Sequence, residues 1–545
     1  MGAIALLEKL SNRKTIIMIV LLFTPLFLVF LGLPSLWDQD ENVYAEISRQ
    51  MVARHDYVGA YFNDDFRPEK PPLNYWINAG FYHLFGINEF ATRLGSCLFG
   101  LLGILLIYCL AKRLFSKRTA ILASLMLGTS FIYFLESQLA IIDTTLTFFI
   151  SLTLYWFYLG YFEQKSPYLL WMGFPLGLGI LAKGPVALIL TGSVGLVCWF
   201  LFTFRSHYAP GRLFNRWLWG GLALAAAVCL PWYLMMWFRY GMAFIVSHFG
   251  YNMFQRFTQP IESHGGWYGW FYYFVILIVG FIPWSAQIYG AFRQGLRHWD
   301  KPRDFFLLAW AALIFGFFTI SQTKLPGYIL PVLPPVAVLV GHWWDELFAG
   351  KNVKSNLWIG MSSQIAVSFL FVLLLFINRA KLPAGYEYSI GVLFLLPLSL
   401  AIGALVIWGL QRRSRRLELF FEVNLIIFYL FWALFLGTMI PIMENYKPIK
   451  YLAQEIHKVH TPGDRLISHI RGTFGAPFYT RRHVQFISSE ARFLAEWRDC
   501  LYSRPRRILA MVEPKSLLAL ERAHLPYAVL AKHGPGYLIT NRPSR

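Results

Sequence analysis

The chain alternates between long apolar blocks and short polar joints. Apolar stretches run over 15–33, 91–111, 119–136, 142–161, 168–183, 184–204, 217–237, 269–290, 304–320, 326–342, 356–377, 387–409 and 420–440. Most come close to the ~20 residues that a helix needs to cross a bilayer. The pattern predicts a polytopic α-helical membrane protein with about 13 transmembrane helices. Ala182-Lys183-Gly184-Pro185 interrupts one of the longest runs, and reads either as a tight turn between two short helices or as a kink within one. Between the first two stretches lies a polar, charge-rich loop over 34–90. Within it Val43, Ile47, Met51 and Val52, beside Tyr44, have the spacing of one helical face. An amphipathic helix over 41–54 is expected, lying on the membrane surface, with Asp38 or Asp40 placed to cap it.

Beyond 446 the pattern becomes that of a soluble domain. Short apolar runs at 466–470, 484–487, 508–512 and 527–530 are interleaved with helical patterns at 490–502 and 514–524. Lys532-His533-Gly534-Pro535-Gly536 reads as a turn into a last strand over 537–540. The expected organisation is therefore a membrane domain over 1–445 and a small α/β domain over 446–545.

Composition agrees with the block pattern. The 545 residues are 57% hydrophobic and only 14% charged, where a soluble protein would carry about a quarter charged residues. The net charge of +20 does not call for nucleic acid, because the surplus lies in short loops. Lys112, Arg113, Lys117 and Arg118, then Lys165, then Arg205, Arg212 and Arg216 open this series. Arg293, Arg297, Lys301 and Arg303, then Lys351 and Lys354, then Arg412, Arg413, Arg415 and Arg416 complete it. All fall on one side only if 168–204 crosses twice, which places the N-terminus in the cytoplasm and the C-terminus outside by the positive-inside pattern. Lys9, Arg13 and Lys14 precede the first span without a small-residue cleavage pattern, so that span reads as an uncleaved anchor. The five cysteines show no metal spacing, and four lie in apolar runs.

The outer loops collect the unusual charges: Asp38, Asp40, Glu41, Glu69, Lys70, Asp143, Lys183, Arg256 and Lys324, with Tyr328 nearby. Charges this close to hydrocarbon are costly and pair with one another or with a ligand. Separated cations suit a phosphate, and a carboxylate suits proton abstraction or stabilisation of a positive sugar carbon. Each residue also has a plainer reading. Asp40 and Asp143 can cap helices, Lys183 and Lys324 can reach along a helix to the interface, and Arg256 can anchor there. Tyr328 can belong to an aromatic belt, and Lys70 can sit in a solvated turn. Convergence on one side favours a shared site.

Asp40-Glu41, Tyr44-Ala45-Glu46, Glu69-Lys70-Pro71 and Tyr75-Trp76 resemble the first outer loop of the aminoarabinose transferases that modify lipid A. Those enzymes are polyprenyl-phosphate-dependent membrane glycosyltransferases of the GT-C fold, akin to protein O-mannosyltransferases. The resemblance continues through Asp143, Ala182-Lys183-Gly184, Gln255-Arg256-Phe257 and the run from Lys324 to Pro331, covering most of 10–345. It implies an inverting transfer of aminoarabinose or a related amino sugar from undecaprenyl phosphate to lipid A at the periplasmic face of a bacterial inner membrane. The resemblance assigns Asp40 as base or acceptor-orienting carboxylate, with Glu41 beside it. Lys70 and Arg256 would hold the donor phosphate, Lys324 and Tyr328 would complete its pocket, and Asp143 and Lys183 would shape the cavity. No cofactor is required. A divalent metal at Glu69 stays open, since relatives often carry a histidine just before Gln-Arg-Phe where this chain has Tyr251, Asn252 and Met253. A monomer is expected, with no nucleic-acid partner.

Two rivals remain at this level. One is a transferase delivering a polyprenyl-linked sugar such as mannose to protein or another envelope glycan. The other is a lipid-linked sugar transporter, which would show paired halves with helices interrupted at matching positions; the sequence has no such symmetry.

Overall fold

A computed structural model describes residues 3–37, 39–205, 213–259, 269–350, 416–470, 474–503 and 506–542. Asp38 and the spans expected at 356–377 and 387–409 lie outside the described residues. The chain divides into two compact units. One comprises Met1–Phe30, Pro68–Asn74 and Arg93–Phe435; the other comprises Leu31–Arg67, Tyr75–Thr92 and Leu436–Arg545. The second unit thus begins well before the composition change near 446, taking in most of the 34–90 loop.

Among the described residues of the chain, six helices are long and apolar enough to cross a membrane, or eight if each of two bent pairs counts as one. Ile142–Tyr161 coincides with its expected stretch. Gly173–Lys183 and Val186–Arg205 are separate helices. Gly184 ends the first at φ +79°, a conformation that glycine adopts at little steric cost. A Cβ on Gly179 would lie 3.0 Å from that of Ala187, although eight residues of continuous helix would separate them by about 12 Å. The chain therefore reverses here, as a tight turn. One expectation needs correcting: 269–290 is not one straight span. Gly269–Gly280 and Ser285–Arg297 meet at 119°. Lys117–Gly128 and Phe131–Ser137 are likewise bent by 63°.

Close packing in the first unit rests on small residues. A Cβ on Gly173 would come 1.9 Å from the Gly221 carbonyl oxygen, and one on Gly177 would come 2.8 Å from that of Ala225. Glycine and alanine at a four-residue spacing on both helices let the backbones approach, as membrane helices do where hydrophobicity alone supplies little attraction. Two buried indole N–H groups reach across the packing: Trp310 donates to the Pro331 carbonyl and Trp284 to the Thr129 hydroxyl, both at 2.9 Å.

The second unit contains a two-stranded hairpin, β1 (Tyr61–Phe62) and β2 (Asp65–Phe66), and a five-stranded sheet. The sheet strands are β3 (Arg465–His469), β4 (Gln485–Phe486), β5 (Ile508–Val512), β6 (Ala528–His533) and β7 (Gly536–Thr540). Their order is β4-β3-β5-β7-β6, parallel from β4 to β5 and antiparallel beyond. Side chains of a strand alternate between faces, and each face has its own core. Ile467, Ile508, Ala510, Val512 and Ile539 pack with Phe493, Trp497 and Leu520 on one side. Leu466, Leu509, Met511 and Leu538 pack with Ile449, Leu452 and Ile456 on the other. Burial on both faces explains why Ile508–Val512 is an unbroken apolar run.

The helix expected over 41–54 forms as Gln39–Arg54, but every residue from Glu41 to Met51 is buried. It does not lie on a surface. Its charges are satisfied inside: Glu46 accepts two hydrogen bonds from Arg49 at 2.7 Å each and a third from Gln50 at 2.9 Å.

Candidate active site

The first unit holds a cavity of ≈ 420 Å³. Its polar lining comes from Glu69, Lys70, Lys183, His248, Ser321, Thr323 and Tyr328. Its apolar lining comes from Val186, Ile189, Phe249, Phe254, Phe257, Phe317 and Phe318.

Three local devices place the polar groups. Lys70 precedes Pro71 and Pro72, both buried; proline disfavours the helical conformation in the residue before it, so Lys70 stays extended until the helix Leu73–Phe85 begins. Lys183 sits in the last turn of its helix and Asp143 in the first turn of its own, the ends at which the helix dipole favours those charges. They meet at 2.5 Å with both side chains nearly buried, and the Lys183 ammonium lies 3.9 Å from the Tyr328 ring centroid. The third device is the Leu325-Pro326-Gly327-Tyr328 segment. The Tyr273 hydroxyl donates to the Leu325 carbonyl and accepts from its N–H, each at 3.2 Å. A Cβ on Gly327 would stand 2.8 Å from Glu136 Oε2 and 3.2 Å from Asp143 Cγ. Glycine here lets the backbone pass close to these carboxylates beside Tyr328; a side chain would push the Glu136 carboxylate aside.

The cavity thus brings together Glu69, Lys70, Lys183 and Tyr328, with Asp143 behind Lys183. Lys324 is placed differently. Its buried ammonium donates to the carbonyls of Thr319 and Ser321 at 2.7 Å and of Phe318 at 3.3 Å, closing the C-terminus of Pro302–Ile320. Burial lowers its pKa from the ordinary lysine value. Arg256 opens the short turn Arg256–Thr258. That turn is fastened to the lining, since the Gln322 N–H donates to the Phe257 carbonyl at 3.0 Å and the Thr323 hydroxyl to that of Gln259 at 3.1 Å.

Asp40 and Glu41 belong to the second unit. Asp40 is half-buried in the first helical turn. Glu41 is fully buried and accepts from the Trp37 N–H at 2.6 Å, a position from which its charge opposes the helix dipole.

His248 escaped the sequence reading. It is 2% exposed, within the π-helical turn Val246–Gln255, and its ring stacks on Phe244. A lone histidine inside an apolar segment was the available signal. It is the one imidazole on the lining that holds Glu69. Among the described residues no group of three or more His, Cys, Asp or Glu side chains could hold a metal ion.

The arrangement suits a ligand with an anionic head and an apolar tail. Lys70 can stabilise negative charge within the cavity, while the phenylalanine wall accepts hydrocarbon. Residues 69–237 match the family described as dolichyl-phosphate-mannose-protein mannosyltransferase. An undecaprenyl phosphate-alpha-4-amino-4-deoxy-L-arabinose arabinosyl transferase from Edwardsiella ictaluri is 32% identical over 385 residues, 66% of this chain and 65% of that protein. A transferase of the same description from Proteus mirabilis is 30% identical over 424 residues, 74% of this chain and 72% of that protein. Among solved structures, ArnT from Cupriavidus metallidurans bound to undecaprenyl phosphate superposes with a TM-score of 0.80 at 24% identity, covering 98% of this chain and 99% of that one.

Proposed function

The chain belongs to the family of undecaprenyl phosphate-alpha-4-amino-4-deoxy-L-arabinose arabinosyl transferases, and from that premise we propose that it moves aminoarabinose from undecaprenyl phosphate to a phosphate of lipid A. Its architecture is the polytopic GT-C fold of that family. The observation that carries the reading is the mixed lining of one cavity, in which Lys70 and Lys183 share the space with five phenylalanines.

In this reaction the bond between the sugar's anomeric carbon and the prenyl phosphate oxygen breaks, and a bond to an acceptor oxygen forms from the opposite face, inverting that carbon. The prenyl phosphate leaves with the electron pair. Lys70, joined by Arg256 on the family likeness, meets charge that grows toward the transition state, which is where binding accelerates chemistry. The Asp143–Lys183 pair, with the Lys183 ammonium against the Tyr328 ring, shapes the cavity. Lys324 acts at one remove by holding the 321–325 turn. On the same likeness Asp40 serves the acceptor. A phosphate acceptor is already anionic, so Asp40 need only orient it; a hydroxyl acceptor would require it to take a proton. Alignment of two bound substrates supplies much of the rate. The basic loops support an inner-membrane protein with its N-terminus cytoplasmic and its chemistry and C-terminus periplasmic.

Mass spectrometry of lipid A from cells with and without the gene tests the reading. Aminoarabinose-modified lipid A is expected only when the protein is made. An unchanged profile with the protein present in the membrane overturns it, and a new mannose on envelope protein would move the activity to the sister reaction.

A further inference from the structure

The second unit has a cavity of its own, ≈ 460 Å³ in volume, within the range of small-molecule sites. Two helices begin at its wall, Pro448–Val459 and Pro514–Arg522, each with proline in its first turn and neither with a side-chain cap. Helix N-termini present backbone N–H groups and partial positive charge to an anion. Three lysines, Lys447, Lys450 and Lys515, line the same space against one carboxylate, Glu513. Lys447 donates to the Ser35 carbonyl at 3.1 Å and lies 3.9 Å from the Trp37 ring centroid. Lys450 and Lys515 hold Glu89 and Glu513, each at 2.6 Å. Trp37 is 48% exposed, a flat apolar face at the rim.

Three ammonium groups, two helix starts and an aromatic plate are the parts needed to hold a phosphate attached to a sugar. We propose that this cavity binds the phosphate-bearing saccharide headgroup of the acceptor glycolipid. The phosphate sits among Lys447, Lys515 and the two helix N-termini, and a sugar ring lies on Trp37. The unit is then a recognition module for the acceptor, an assignment that rests on the acceptor being a phosphorylated glycolipid. The cavity volume admits a sugar phosphate.

Binding can be measured without turnover. Full-length protein in detergent micelles would be titrated calorimetrically with a glucosamine disaccharide bearing one phosphate monoester, with the same disaccharide lacking phosphate, and with inorganic phosphate. The phosphorylated disaccharide is expected to bind at least ten-fold more tightly than either control. The double variant Lys447→Gln/Lys515→Gln should lose that binding ten-fold or more, and the Lys447→Arg/Lys515→Arg double variant should keep it within about three-fold. Lys70→Ala should leave it unchanged. Lys515→Glu alone, at a half-exposed side chain, gives a second route should the double variant fold poorly, and should weaken binding in the same direction.

Equal affinity for inorganic phosphate would make this a free-anion site and overturn the headgroup assignment. Unchanged affinity in the glutamine variants, or loss in Lys70→Ala instead, would overturn the location. Binding of undecaprenyl phosphate by the glutamine variants, scored in parallel, separates these outcomes from failure of the transferase reading, which predicts donor binding whatever the second cavity holds.

Discussion

The two cavities are close in size, ≈ 420 and ≈ 460 Å³, but their linings differ in charge and in aromatic content. In the first unit, phenylalanines and aliphatic side chains line the space together with a few charged groups, one of which, Lys183, is already matched by Asp143. In the second, lysines and prolines gather where two helices begin, beside one exposed tryptophan. The difference follows from what each must exclude. A site for a prenyl-linked phosphate gains most of its binding from hydrocarbon and needs cations only where the leaving group gathers charge. A site for a headgroup has no tail to bury and must rely on charge and stacking.

That contrast is most exposed to test at Lys70. If its ammonium meets charge developing in the transition state, Lys70→Ala should lower transfer by about 10²- to 10³-fold, the loss typical of a single such donor. The fall should be in kcat, with undecaprenyl phosphate binding weakened far less. A change confined to KM would mean that Lys70 holds the ground state alone. Asp40→Asn comes next. Full general-base catalysis is worth about 10²- to 10⁴-fold, but with an anionic acceptor only orientation is lost, so a fall near ~10²-fold, at the bottom of that range, with no change in pH profile, is expected. A vanished acidic limb would identify Asp40 as a proton acceptor.

The apolar wall predicts a smaller, chain-dependent effect. Phe317→Ala removes part of a partly buried ring, roughly 1.5 kcal/mol at the low end for such a side chain, or about ten-fold in affinity. KM for a long prenyl phosphate donor should rise by that factor, while a donor with one or two isoprene units should be little affected. Equal effects on both would place hydrocarbon elsewhere.

Much of this was readable in the sequence because membrane helices and sheet strands each announce their period. Ile142–Tyr161 matches its apolar stretch end to end, and Ile508–Val512 matches the third strand. The bend at 281–284 was missed: Pro283 signals it, but aromatic and aliphatic residues continue on both sides and mask it as one apolar stretch. Nor was the burial of Gln39–Arg54. Apolar spacing suggested a surface helix; the three- and four-residue spacing of Glu46, Arg49 and Gln50 allows them to pair on one helix face, but nothing in it shows that they do so buried. The cluster Glu69, Lys70, Lys183 and Tyr328 could be proposed from residue type and shared side. The division of labour between Lys183 and Lys324 could not, because both read as lysines at helix ends, and which carbonyls or carboxylates face them is a property of tertiary contact.

Lys324 gives the smallest effect and the sharpest check on that division. Its ammonium satisfies three carbonyls at the end of Pro302–Ile320, so Lys324→Met should destabilise by about 1–3 kcal/mol and lower the thermal midpoint while sparing donor affinity. Burial depresses its pKa below the ordinary value. Between the depressed folded value and the ordinary unfolded one, the unfolded chain binds more protons, so stability rises with pH through that alkaline window. The rise should be present in the wild type and absent from the methionine variant when thermal midpoints are compared across it. A ligand role predicts the reverse: a midpoint near normal, and donor affinity lost.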